Sequence, residues 1–307
     1  MQSKFQTWAE WPTLLLLGAT YVLFFGSAVY VYEISVVAGC FGMVLGVVLH
    51  SSLTHEMLHG HPFRSCFWNA ALVFPALSVF IPYLRFKDTH LAHHKDERLT
   101  DPYDDPETNF LDPSVWRRLP KTMQKVLRFN NTLCGRIFIG PVISQFCFVL
   151  ADLRSMIRGD RRVWLGWMLH VPSVLCVAIA LTYFSNVSLF TWVMCAYVAL
   201  SILKIRTYLE HRAYDDFRGR TVVIADRGIL ALLFLNNNFH AVHHKFPKLS
   251  WFELPAVFQR QKNAVLSENH GYYYPSYRQI FSTYFFKAKD QVAHPLWSGG
   301  EISDNAK

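Results

Sequence analysis

The chain is 307 residues long, enough for one large domain or two small ones, yet only 17% of its residues are charged and 52% are hydrophobic. An ordinary soluble domain carries about 25% charge, so a mean hydropathy of +0.16 points instead to an integral membrane protein. The formal net charge of +8 does not indicate a nucleic-acid partner, because the basic residues fall between and after long apolar runs, not on a patterned helix or beside stacking aromatics.

From Trp11 to Thr54 the only charged side chain is Glu33, and a run of that length suits two bilayer crossings, at about 11–32 and 34–54. It lacks the charged leader and small-residue cleavage site of a signal peptide. No Gly or Pro marks its turn. His50 lies near its end and reads as a histidine packed at the interface with one hydrogen bond. Immediately beyond, His55 and His59 stand at i and i+4 in Thr-His-Glu-Met-Leu-His-Gly-His-Pro, with His61 just outside the pair and open to either a loop role or ligation.

The next apolar stretch, Phe67 to Leu84, is interrupted by Pro75 and Pro82. After it come His90, His93 and His94 in an H-x-x-H-H box, then the acidic residues Asp96, Asp101, Asp104, Asp105 and Glu107. One or two of these acids are expected to accept hydrogen bonds from the outer ring nitrogens of the histidines. Glu56 and Glu210, each next to a candidate histidine, have a similar claim. The segment from Arg85 to Arg162 is rich in Arg and Lys, and within it Ile137 to Ala151 is a short apolar run. A second uncharged hairpin runs from Val163 to Leu203, with spans at about 163–184 and 186–204 and its turn near Ser185-Asn186. His170, mid-span beside Pro172, reads as a neutral, hydrogen-bonded core histidine. His240, His243 and His244 repeat H-x-x-H-H after Asn236, Asn237 and Asn238, which either line a site or cap a helix.

The turns of both hairpins lack Lys and Arg, so the positive-inside rule puts the termini and the basic middle segment in the cytoplasm. For the histidine boxes to share one face of the bilayer, neither Phe67–Leu84 nor Ile137–Ala151 crosses fully; both are expected to be re-entrant or interfacial. The expected fold is all-α: four transmembrane helices in two hairpins, and a cytosolic helical cap (55–162 and 205–298) carrying the boxes. All of 1–307 forms a single domain, with 299–307 a flexible tail. The six cysteines (Cys40, Cys66, Cys134, Cys147, Cys176, Cys195) make no C-x-x-C pair, lie mostly within apolar stretches and read as buried free thiols.

On a helix, spacings of three and four bring imidazoles to one face, where they converge on a common metal or on two neighbouring ones. Imidazole-rich sites suit iron, zinc, copper or nickel. The eight histidines His55, His59, His90, His93, His94, His240, His243 and His244 are too many for one ion. Two first-row metals would use them all and keep positions open for dioxygen or water, as catalysis requires. Two rival readings exist. His55-Glu56-Met57-Leu58-His59 matches the H-E-x-x-H of a zinc metalloprotease, but that leaves two boxes unused. A metal transporter needs polar groups near mid-membrane, where these spans offer little beyond His170.

The boxes, their order and their placement around two hairpins resemble the membrane fatty acid desaturase and hydroxylase superfamily from about His50 to Pro255. The phrasing Thr-His-Leu-Ala-His-His, Asp-Pro-Tyr-Asp-Asp-Pro-Glu and Asn-Asn-Asn-Phe-His-Ala-Val-His-His-Lys-Phe-Pro is similar to its bacterial desaturase-like branch. The resemblance implies a di-iron centre and oxygen-dependent oxidation of an acyl or lipid chain, desaturation ahead of hydroxylation. It also implies a ninth ligand, for which His211 is the candidate. Some members place an Asn four residues before that histidine; here the position is Thr207, so a water could take its place. An external electron donor of the ferredoxin or cytochrome b5 kind is implied as well, since no Gly-rich dinucleotide fingerprint is present.

Overall fold

The structure is a computed structural model that describes residues 9–297, the side chain of Asp96 excepted. Helix accounts for 65% of it. Strand is confined, among the described residues, to β1 (Val223–Ile224) and β2 (Tyr273–Tyr274), paired in parallel. The expected all-α class therefore holds. The tail expected at 299–307 lies outside the described residues.

The first hairpin is α1 (Trp11–Ile34) and α2 (Val36–Leu58). Pro12 supports the start of α1, where a missing N–H costs nothing. The turn that neither Gly nor Pro signals falls at Ser35, whose backbone is extended and whose Oγ accepts from the Ala38 N–H at 3.3 Å. The two helices pack backbone to backbone along glycines of α2. A Cβ on Gly39 would lie 2.6 Å from Tyr32 Cα, one on Gly46 2.9 Å from Phe24 Cβ, and one on Gly42 would overlap Ser27 Oγ. In lipid, where apolar burial gives no drive, such close approach supplies the packing energy.

Between the hairpins and around them lie α3 (Cys66–Leu72), α4 (Tyr83–His93), α5 (Pro113–Arg118), α6 (Lys121–Asn130), α7 (Leu133–Phe138) and α8 (Gly140–Ile157). The apolar stretch Phe67–Leu84 forms no long helix: α3 ends at Leu72, and residues 73–82 run as irregular backbone. Spans supply the hydrogen bonds this backbone lacks. Tyr21 Oη–H donates to the Leu72 carbonyl at 2.8 Å, Trp192 Nε1–H to the Leu77 carbonyl at 2.9 Å, and Ser173 Oγ–H to the Phe74 carbonyl. His170 Nε2 lies 2.6 Å from the Val79 carbonyl, which accounts for a histidine at mid-span as a neutral donor. Non-helical backbone at such depth is tolerated only when protein pairs it in this way.

The second hairpin is α9 (Arg161–Phe184) and α10 (Leu189–Thr207). Asp160 caps α9 and Ser188 caps α10, which sets the turn at 185–188, close to where the sequence places it. Asn186 Nδ2–H donates to Glu33 Oε1 at 2.9 Å and so joins the two hairpin turns. Phe24, Met43, Val47, Val177, Leu181 and Trp192 form the buried core between the hairpins.

Among the described residues five helices, not four, are long and apolar enough to cross a membrane; the fifth is α8. Its Asp152 is buried and accepts from Arg85 Nε–H and Nη2–H at 2.9 and 2.8 Å and from Trp167 Nε1–H at 2.8 Å. That pairing satisfies a carboxylate which would otherwise be costly in an apolar setting. Beyond α10 come α11 (Ile229–Leu233), α12 (His240–Lys245), α13 (Leu254–Glu268) and α14 (Tyr277–Tyr284).

Candidate metal centre

Three element ends and one loop bring the histidines together. His55 lies in the last turn of α2 and His59 follows that helix directly; His90 and His93 close α4, with His94 as its cap. Short α12 carries His240, His243 and His244, and His211 sits in the loop after α10, bridged to Thr221. All nine expected histidines meet. They form two groups, His55, His59, His90, His94 and His243 in the first, and His93, His211, His240 and His244 in the second. Within each group the candidate ligand nitrogens all lie within 4.8 Å of one another, and only His59, His94 and His211 are not fully buried.

Each H-x-x-H-H box serves both groups. Adjacent residues on a helix point about 100° apart, so His93 and His94 diverge, as do His243 and His244. The groups adjoin, with the His94 and His244 rings stacked at 4.2 Å between centroids. In the first group His90 Nε2 is 3.1 Å from His59 Nε2 and 3.0 Å from His94 Nε2, which in turn is 3.2 Å from His243 Nε2. In the second, His211 Nε2 is 2.9 Å from His93 Nε2 and 3.2 Å from His240 Nε2.

The outer nitrogens of His55, His90, His93, His211 and His240 meet polar partners. His90 Nδ1 lies 3.0 Å from Glu107 Oε1, and His93 Nδ1 2.8 Å from Asp105 Oδ1. Asp105 is itself held by the N–H groups of Thr100 and Glu107, each at 2.9 Å. His240 Nδ1 faces Asn237 Oδ1 at 3.1 Å, His211 Nδ1 faces Thr221 Oγ1 at 3.3 Å, and His55 Nδ1 is 3.4 Å from Glu56 Oε1. Of the acidic run, then, Asp105 and Glu107 take the anchoring role. Glu210 stands farther off, 3.9 Å from His240 Nδ1, and pairs with Arg206 at 3.2 Å.

A carboxylate only accepts, so it fixes the proton on Nδ1 and turns the Nε2 lone pair inward. Burial, reinforced by neighbouring imidazoles, pushes His59, His94, His211, His240, His243 and His244 below their ordinary pKa and keeps them neutral. Burial opposes protonation of His93 too, but Glu107 and Asp105 carry it up to about 9, so a cation binding there would displace the proton from its Nε2. Burial would raise Glu107, yet His93 and His90 hold it well below the carboxylate range. The facing Nε2 atoms cannot all be satisfied by the protons of neutral rings, and His55 Nε2 is buried without a hydrogen-bond partner. These residues fit cations placed among them, and an all-imidazole inner shell suits a first-row transition metal.

His50 and His61 belong to neither group. His50 Nε2 is 3.3 Å from Tyr21 Oη, and His61 Nδ1 is 2.7 Å from Glu10 Oε1. The protease reading loses its general base: Glu56 is occupied by His55 Nδ1 and by the Trp251 N–H at 3.2 Å. Among the asparagines Asn237 touches a candidate ligand, whereas Asn238 Nδ2–H donates to the Ile224 carbonyl at 2.6 Å and Asn236 Nδ2–H to the Trp251 carbonyl at 3.1 Å. Thr221 was not foreseeable, because its contact with His211 comes from a bridge between loop residues that no spacing rule marks.

No curated protein matches the chain. A family model, described as fatty acid desaturase, matches residues 33–278, a span that contains all nine histidines, α2 and the second hairpin, but only the last two residues of α1. On that match, which covers well over half of its 307 residues, the chain belongs to the fatty acid desaturase family.

Proposed function

We propose that the nine histidines hold two iron ions and that the protein desaturates a fatty acyl or lipid chain. The observation that carries this reading is the sorting of all nine into two adjoining groups with inward-facing nitrogens. Two irons there would supply the chemistry no side chain has, activation of dioxygen for attack on an unactivated methylene. The chain's own residues bind and orient: Asp105 and Glu107 fix the tautomers of His93 and His90, and Asn237 and Thr221 do so for His240 and His211. The buried faces of α2, α9 and α10 keep bulk water from the approaching acyl chain.

In this reading four helices cross the bilayer and the cap and both termini face the cytoplasm. Helix α8 lies obliquely at that face instead of crossing. Its start is tied where Tyr197 Oη–H donates to the Phe138 carbonyl at 2.7 Å, and its end where Trp164 Nε1–H donates to the Met156 carbonyl at 3.2 Å. Trp164 opens α9 at the histidine side and Tyr197 is the ninth of the nineteen residues of α10, so α8 reaches from that side only to about mid-span. The cap and spans act as one domain. Electrons come from an external donor of the ferredoxin or cytochrome b5 type.

The test is metal analysis of the purified full chain together with lipid mass spectrometry of cells expressing the wild type or His94→Ala. Two irons per chain and a lipid class that loses two hydrogens only with the wild type are expected. A lipid that gains one oxygen would replace desaturation with hydroxylation by the same site. One zinc per chain, or no lipid change, would overturn the reading.

A further inference from the structure

Between Asp112 and Asp152 the sequence has no Asp or Glu, and it carries Arg117, Arg118, Lys121, Lys125, Arg128 and Arg136. Of these, Arg136 is buried and structural, donating to the Asn130 carbonyl at 3.1 Å. The other five lie on α5 and α6, outside the site described above.

Helix α6 is divided lengthwise into three sectors. Gln124, Leu127 and Asn130, at i, i+3 and i+6, face the protein; Gln124 and Asn130 are buried. Met123, Val126 and Phe129 repeat that spacing one position earlier, yet they are 46%, 42% and 44% exposed. Lys121, Lys125 and Arg128 form the third sector, at i, i+4 and i+7, and all are exposed. The hairpin is rigid: Gln124 Nε2–H donates to the carbonyls of Trp116 and Leu119 at 3.2 and 3.0 Å, and the Arg128 guanidinium lies 5.5 Å from the Trp116 ring. Helix α7 then joins α6 to α8, whose outer face shows Val142, Phe146, Leu153 and Ile157 to the exterior.

We infer that α5 and α6 are a docking surface for anionic lipid headgroups of the bilayer that holds the protein. Met123, Val126 and Phe129 enter the boundary between headgroups and acyl chains, and Arg117, Arg118, Lys121, Lys125 and Arg128 meet the phosphates above it. An acidic protein partner would satisfy the charges but would leave the apolar sector in water. A lipid surface satisfies both, and along the chain the sector is followed by the exposed apolar side chains of α8. The attraction holds for any anionic headgroup and weakens with salt, since the charges are exposed.

Hydrogen–deuterium exchange of the full-length protein in lipid nanodiscs tests this. Residues 113–131 are expected to exchange about tenfold more slowly in discs containing phosphatidylglycerol than in phosphatidylcholine alone, an effect in keeping with several charges each attracted to the surface. High salt should erase most of the difference in the wild type, with no substitution needed. Arg118→Gln/Lys121→Gln/Lys125→Gln should cut it to about threefold or less, while the three-lysine or three-arginine equivalent of these positions retains it and exchange in α2 and α9 stays unchanged. Equal exchange in the two kinds of disc overturns the inference. So does protection of 113–131 that an acidic ferredoxin-class protein produces in detergent and anionic discs do not.

Discussion

The two H-x-x-H-H boxes are written alike and anchored differently. On α4, His90 and His93 each set their outer nitrogen against a carboxylate, Glu107 at 3.0 Å and Asp105 at 2.8 Å, and so deliver one carboxylate-backed imidazole to each group. On α12, His240 rests on the neutral amide oxygen of Asn237 at 3.1 Å. The same box can therefore seat its histidine directly on a carboxylate or on a neutral amide, with the Glu210 carboxylate standing off at 3.9 Å. Toward the cations proposed above, the α4 box would be the stronger electron donor, its carboxylates adding negative charge where a metal adds positive.

The sharpest way to break this comparison is to remove a ligand from each box. His93→Ala and His243→Ala should each cost about half of the bound metal and nearly all lipid oxidation, because each histidine belongs to a different group. Metal content per chain reads the result, and full retention after either change would separate that histidine from the centre. Next in size, Asp105→Asn leaves the shape but removes the charge behind His93 and should lower metal affinity or turnover by about ten- to a hundredfold. Asn237→Ala should cost less, about a few-fold, because only a neutral orienting contact is lost. If the two losses came out equal, the difference in charge would carry no meaning.

A third imidazole sharpens the contrast. His61 also pairs with a carboxylate, Glu10 at 2.7 Å, but stands outside both groups, so its pair answers to protons alone. Burial works against both charges, yet mutual pairing lowers Glu10 below its ordinary value of 4.5 and raises His61 above 6.5. The lowered acid stabilises above 4.5 and loses that effect as pH falls; the raised histidine stabilises below 6.5 and loses it as pH rises. Glu10→Gln should therefore cost most between those two values, about 2 kcal/mol, and less on either side. Thermal melts across that range check it; a cost independent of pH would show that packing, not charge, is lost.

Much of the site was legible because its signals are local. Helical spacing gives the boxes, and the absence of charge over long runs gives the hairpins, the second turn and the burial of His170. What escaped depends on contacts between distant segments. The first turn at Ser35 rests on a serine cap with no glycine or proline to announce it. The sorting of each box between two groups depends on how α2, α4 and α12 approach one another. Helix α8 is continuous over 18 residues, longer than its apolar core of sequence, because Gly140 and Pro141 begin it and the mixed stretch from Asp152 through Ile157 extends it. Composition could not foresee that Asp152 there would find Arg85 on the helix of the second box.

The strand of chain at 73–82 has a consequence for anyone recombining such proteins. It leads straight into α4, yet its carbonyls are held by Trp192, His170 and Ser173 of the second hairpin. A chimaera that exchanged 161–207 for the matching part of a relative would cut those ties and release the segment that aims His90 and His93. The units that can be traded are thus not the hairpins themselves: 73–82 must travel with 161–207.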